Sequence, residues 1–238
     1  MAESINTKPF KRGSPSKLYT EYLDYYIAMH KKGKAFDGRS LKKFVNIIGN
    51  LIQTHQCKTL LDYGAGRGIL YGDDFGILTD ILDYYNGKPH GIDKPLQEYW
   101  RLDEVCLYEP ALPGLDKLPS KSYDAVISTD VLEHIPESDL GWVIDEIFSK
   151  AKQFVFLNIA TFPALKTFPD GTNVHVSLFK SDAWVEFLSE KHKQYEDLAV
   201  YLYFDVVNSD RTVSYQTLTL GNSEPVITCD HCQMEGAM

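Results

Sequence analysis

The chain has 238 residues, enough for one α/β domain with a full core and too few for two. A hydrophobic content of 44% and a charged content of 24% are ordinary for a globular protein, while a net charge of −9 argues against a basic face that clamps phosphates. The four cysteines (Cys57, Cys106, Cys229 and Cys232) are too scattered for a secreted disulfide scaffold, no apolar run approaches the roughly 18–20 residues of a bilayer span, and Met1 to Arg12 lacks a signal-peptide stretch, so a soluble, cytoplasmic protein is expected.

Residues 1–17, rich in Lys, Ser, Pro and Gly, read as a mobile arm. Leu18, Tyr22, Tyr25, Tyr26 and Met29 recur at helical spacing, so a helix is expected from Leu18 to about His30. Its aromatic stripe suits a helix packed on a sheet or a lid over a pocket. After breaks at Lys31-Lys32-Gly33 and Asp37-Gly38, a second helix is expected from Ser40, as N-cap, to Thr54. Thr59 to Asp62 reads as a first strand that breaks into a glycine-rich loop. A helical stretch over 74–86 and a short helix over 95–102 follow. Val105 to Tyr108 is a compact strand ending at Glu109.

Tyr123 to Ser128 reads as a strand, 139–151 as a helix, and the apolar run Phe154 to Ile159 as a strand buried on both faces. A long loop is expected over 160–179 and a helix over 181–191. Strands near 197–207 and 211–220, joined by Asn208-Ser209-Asp210, read as an antiparallel pair. Alternating strands and helices imply an α/β fold with a mostly parallel sheet and ligands at the strand carboxyl ends. The chain divides into an N-terminal arm with its helices (1–54), a core (55–221) and a flexible tail (222–238).

Residues 61–68 read Leu-Asp-Tyr-Gly-Ala-Gly-Arg-Gly. Gly64, Gly66 and Gly68 allow a sharp turn and close approach to a ligand. A dinucleotide fingerprint would put its third glycine where Ile69 stands. Asp62 just ahead of the loop would repel a pyrophosphate, yet it suits a ligand carrying an ammonium and a sulfonium, as S-adenosylmethionine does. A nucleoside also needs an acceptor for its ribose diol at the end of the second strand. Glu109 fills that place in preference to Asp93, because Pro89 and Gly91 interrupt the strand Asp93 would need.

With these residues the sequence resembles the class I S-adenosylmethionine-dependent methyltransferases over about residues 57–220. The most specific part is the run from Tyr123 to Pro136, Tyr-Asp-Ala-Val-Ile-Ser-Thr-Asp-Val-Leu-Glu-His-Ile-Pro, which is similar to the fourth-strand motif of the small-molecule branch. Leu-Tyr-Glu-Pro at 107–110, Phe-Val-Phe-Leu-Asn at 154–158 and Pro-Asp-Gly-Thr-Asn-Val-His at 169–175 resemble a narrower bacterial and phage group without an assigned substrate. The resemblance implies a Rossmann-like fold in which Asp62, Tyr63, Gly64, Gly66 and Gly68 surround the methionine part of S-adenosyl-L-methionine. Glu109 would hold the ribose, and Ser128, Thr129 and Asp130 would line the pocket floor near the methyl. One departure concerns the third strand of the family. Only thirteen residues, 110–122, separate Glu109 from Tyr123, and Pro110, Pro113 and Pro119 disfavour a helix there, so that strand is expected to be short or missing.

A sulfonium is already an activated methyl donor, so the protein must mainly hold a nucleophile in line and exclude water. A base is needed only if the nucleophile must lose a proton. Asp130 and His175 are the expected catalytic residues, His175 sharing its loop with Asp170 and Asn173. Asp130 also reads as a helix cap, His175 as an exposed loop histidine and His134, beside a proline, as a structural residue. Cys229-Asp230-His231-Cys232 has no matching second pair, so no metal is expected.

The chain lacks the Asn/Asp-Pro-Pro-aromatic run of base-amino methylation and a Pro-Cys nucleophile, which leaves transfer to an oxygen or nitrogen of a small molecule as the leading expectation. The alternatives are a nucleic-acid or modified-nucleotide substrate, if Lys8, Lys11, Arg12, Lys17, Lys31, Lys32, Lys34, Lys42 and Lys43 converge on one face, and a non-catalytic cofactor-binding partner subunit.

Overall fold

The computed structural model describes residues 4–33, 36–72, 94–208, 210 and 212–221. The expected helix over 74–86, the competitor Asp93, Lys34 and the Cys229/Cys232 tail lie outside them.

Strands β1 (Thr59–Tyr63), β2 (Glu104–Tyr108), β3 (Tyr123–Thr129), β4 (Ala151–Ala160), β5 (Ala199–Val207) and β6 (Val213–Leu220) form one sheet in the order β2-β1-β3-β4-β5-β6. The first five are parallel; β6 runs antiparallel on β5, pairing Val200 with Leu220 and Val207 with Val213. This is the mostly parallel, Rossmann-like α/β architecture with a C-terminal antiparallel pair. Residues 109–122 contain turns and no strand or helix, and β2 is the outer strand of the sheet, so no strand stands in that interval.

Strand side chains alternate between two cores, as period-2 geometry requires. On one face Leu60, Ala125, Ile127, Phe154, Phe156 and Tyr203 pack under helix α2 (Val45–Thr54) and the short helix α3 (Leu96–Tyr99). On the other, Leu61, Val126, Val155, Leu157 and Leu202 pack under α4 (Leu140–Lys150) and α5 (Ser181–His192). Burial on both faces explains the apolar run that opens at Phe154. Each fully buried side chain of this kind contributes about 1.5–3 kcal/mol.

Two expectations at the N-terminus are corrected. The described part of the arm, residues 4–16, is strapped to the protein: Ile5 and Phe10 pack on the α4-side core, and the Arg12 guanidinium grips Glu146 and the Tyr108 hydroxyl. Ser16 then caps helix α1 (Lys17–Lys31), its Oγ accepting from the Tyr19 amide at 3.0 Å. Ser40 is not an N-cap. A 3-10 helix, Arg39–Phe44, starts after Gly38, whose φ of +87° makes the turn, and leads directly into α2.

The strand order also locates a crevice. β2 lies on one side of β1 and β3 on the other, so the loops after β1 and β3 diverge from neighbouring strands. Doubly wound sheets bind ligands at such a switch point, outside the strand carboxyl ends.

Candidate functional site

The loop after β1 turns through three left-handed glycines, with φ of +87° at Gly64, +57° at Gly66 and +61° at Gly68. A Cβ at Gly64 would stand 2.3 Å from Val131, at Gly66 2.3 Å from the Phe36 carbonyl oxygen, and at Gly68 2.4 Å from Leu107. The glycines therefore serve the loop's own close approach to its neighbours, beyond any contact with a ligand. Residues 36–37 lie directly on the loop: the amides of Arg67 and Ile69 donate to the carbonyls of Phe36 (2.8 Å) and Asp37 (3.2 Å).

Two acids flank this loop. Asp62, 3% exposed, accepts from the Tyr71 hydroxyl at 3.0 Å, and burial pushes its carboxyl up to about 7. Glu109, at the end of β2, accepts from the Gly66 amide (3.1 Å) and the Ala111 amide (3.0 Å). Burial raises its pKa, partly offset by these two donors. Buried His30 of α1 brings Nε2 to 3.9 Å from Glu109 Oε1. Tyr63 differs from its neighbours. Strand alternation turns its ring into the α4-side core, where its hydroxyl donates to Glu146, leaving only its backbone beside the loop.

At the end of β3, Ser128 and Thr129 are buried, and Ser128 Oγ has no hydrogen-bond partner among the described residues. Asp130 adopts a left-handed φ of +60°, a conformation that strains a residue with a Cβ. Its amide donates to the Asn158 carbonyl at 3.1 Å, and its side chain is 47% exposed. It caps no helix; a short 3-10 turn, Leu132–His134, begins two residues later.

That turn carries two polar groups into the interior. Glu133 is fully buried, with Oε1 accepting from the Ala160 amide at 2.6 Å and Oε2 without a partner among the described residues. Burial and the charge of Asp130 hold its carboxyl well above the usual carboxylate range. His134, half-buried, sets Nδ1 at 2.9 Å from the Val174 carbonyl and 2.8 Å from the Tyr26 hydroxyl. Desolvation lowers its pKa to about 4.

His175 comes from the loop after β4. It is buried rather than exposed, its Nδ1 lies 2.6 Å from the Phe162 carbonyl, and its Nε2 lies 4.0 Å from Asp130 Oδ1. The rings of His134 and His175 meet edge to face with centroids 4.7 Å apart. Asn173 and Asp170 shape the loop instead: Asn173 exchanges hydrogen bonds with Ala164 and accepts from the His175 amide, and Asp170 accepts from the Thr172 amide.

Helix α1 covers this end of the sheet. Tyr22 stacks on Phe168 at 4.6 Å, with Tyr25 and Tyr26 against the same ring. A groove of about 440 Å³ runs between α1 and the loops, bordered by Tyr22, Pro136, Asn173 and His175.

The structure thus brings together Asp130, His175 and His134, and separately Asp62, Glu109 and the glycine loop, around one crevice. Sequence reasoning missed His30 and Glu133 as parts of this region, whereas Tyr26 and Phe36 belong to the aromatic stretch read as a packed helix or a lid. The aromatic stripe of α1 and the buried acid of Glu-His-Ile-Pro were their visible signals. Of the basic residues singled out in the sequence, Arg12 is ion-paired with Glu146, Lys17 with Glu21 and Lys43 with Asp205. No helix of the described residues is long and apolar enough to cross a membrane. Comparison with known proteins finds no matching family model and no matching curated protein.

Proposed function

We propose that the chain transfers the methyl group of S-adenosylmethionine to an oxygen or nitrogen of a small molecule. The observation that carries this reading is the pair of carboxylates, buried Asp62 and half-buried Glu109, at the carboxyl ends of adjacent parallel strands, on either side of a left-handed glycine loop at the switch point. The donor set fits that cofactor. Asp62 offers a carboxylate to the ammonium, Glu109 retains acceptor capacity for the ribose diol beyond its two backbone donors, and the unpartnered Ser128 hydroxyl supports a further polar contact. When bound, S-adenosylmethionine supplies a methyl group that needs no further activation.

The chain's own residues then have three tasks. Asp62, Glu109 and the loop backbone orient the donor. Helix α1 and residues 36–37 exclude water from the crevice. His175, whose Nδ1 must carry its proton to bond the Phe162 carbonyl, keeps a lone pair on Nε2 facing Asp130, where it can take a proton from an acceptor group. The engagement of Arg12, Lys17 and Lys43 with acids favours a small-molecule acceptor over nucleic acid.

Titration calorimetry tests the reading. One-to-one binding of S-adenosylmethionine or its demethylated product is expected, weakened at least about tenfold by Glu109→Gln through loss of a charged acceptor. No heat with either compound, on folded protein, overturns it.

A further inference from the structure

We infer that Asp130, His134 and His175 form a binding site for a divalent first-row transition-metal ion at the open end of the crevice. Their ligand atoms, one carboxylate oxygen and two imidazole nitrogens, all lie within 4.8 Å of one another. Two imidazoles and one carboxylate suit such ions, and three protein ligands leave coordination positions open.

The hydrogen bonds around the histidines point the same way. A carbonyl oxygen can only accept, so Nδ1 of His134, against the Val174 carbonyl, and Nδ1 of His175, against the Phe162 carbonyl, must each carry the ring proton. Tyr26 fits this assignment: its oxygen accepts from His134 Nδ1, and its proton goes to the Val174 carbonyl at 3.4 Å. Both Nε2 atoms are therefore lone-pair donors. Fixing the tautomer through a backbone carbonyl is how metal-bound histidines are generally oriented. The two rings come from separate loops, yet both are locked in this state.

Burial adds a second reason. Glu133 lies fully buried directly beside His134, with one carboxylate oxygen unpartnered among the described residues. Asp130, at its left-handed φ, brings its carboxylate within 4.0 Å of His175 Nε2. Bonds near 2.1 Å put neighbouring ligand atoms about 3–4 Å apart. The 4.0 Å gap between His175 Nε2 and Asp130 Oδ1 already falls at the edge of that range. The half-exposed Asp130 side chain is the ligand best placed to move closer.

The site is read from side chains alone. Its use for an acceptor oxygen rests on the methyl-transfer reading: a hydroxyl bound to such an ion sheds its proton more readily, which would make His175 a ligand rather than a base.

Equilibrium dialysis of the full chain against Co2+ and against Zn2+, without cofactor, tests the site. One ion per chain is expected, with a ligand-field spectrum for Co2+. Asp130→Asn, which keeps a residue that tolerates the left-handed backbone, and His175→Gln are each expected to weaken binding at least tenfold. An unchanged melting temperature in Asp130→Asn separates lost ligation from lost folding. Binding of less than half an ion per chain, or affinity unchanged in Asp130→Asn, overturns the proposal. Because no S-adenosylmethionine is present, a negative result here leaves the calorimetric test of methyl transfer unaffected, and the reverse.

Discussion

A carboxyl group that loses its water holds its proton more tightly, and Asp62 illustrates the consequence. Its pKa rises from 3.8 to about 7 because burial outweighs the single Tyr71 hydroxyl that stabilises the anion. Between those values the folded chain binds a proton that the unfolded chain has lost. Stability from this group is therefore complete below about pH 4 and declines as the pH climbs to about 7. Asp62→Asn removes the burden, so the variant should gain stability over wild type on the order of 4 kcal/mol at pH 8, about a third of that at pH 5, and none below about pH 4. The same substitution should abolish the pH dependence of cofactor binding. In the wild type, affinity for S-adenosylmethionine should strengthen by up to about tenfold per unit as pH rises toward 7, because the ionised form meets the ammonium. Thermal melts and calorimetry from pH 5.5 to 7.5 measure both; equal slopes in wild type and variant would remove Asp62 from the cation site.

At the scale of elements, what could be read from sequence depended on whether the deciding contact was local. β3 and β4 were legible because Ala125 to Ile127 and Phe154 to Leu157 are buried on both faces and advertise it as apolar runs. The acids at the ends of β1 and β2 were legible because a strand end is a local feature. The anchoring of the arm was not, since Arg12 depends on Glu146 and Tyr108, far away in the chain. Nor was the covering of the glycine loop by Phe36, or the convergence of His134 with His175, which needs two loops folded against each other. The stripe on α1 was visible without its target. That target is Phe168, buried against Tyr22, Tyr25 and Tyr26. Phe168→Ala should cost about 3 kcal/mol, and the loss should fall on the docking of α1 rather than on the sheet. Limited proteolysis should cut the variant faster after Lys31 and Lys32, and saturating S-adenosylmethionine should slow that cleavage if the helix closes on an occupied crevice. Equal cleavage in wild type and variant would mean that Phe168 does not hold the helix.

For the whole molecule, charge decides between acceptor classes. A net charge of −9 could still conceal a basic groove, and the N-terminal lysines and Arg12 were the residues able to build one. Three of the basic groups that could have served are committed: Arg12 to Glu146, Lys17 to Glu21 and Lys43 to Asp205. Near the crevice itself Asp62, Glu109 and Asp130 stand at or beside the carboxyl ends of β1, β2 and β3, and Lys43 is taken up by Asp205. A polyphosphate backbone approaching that edge would meet repulsion where it needs neutralisation. Fluorescence anisotropy with labelled single-stranded RNA and duplex DNA should accordingly give no saturable binding at micromolar protein in 50 mM salt. Saturable binding that collapses between about 50 and 200 mM salt would transfer the acceptor to the nucleic-acid class, because only phosphate neutralisation produces so steep a salt dependence. A neutral or cationic small acceptor faces no such barrier, and the same negative field would draw in a metal ion that bridges it to Asp130.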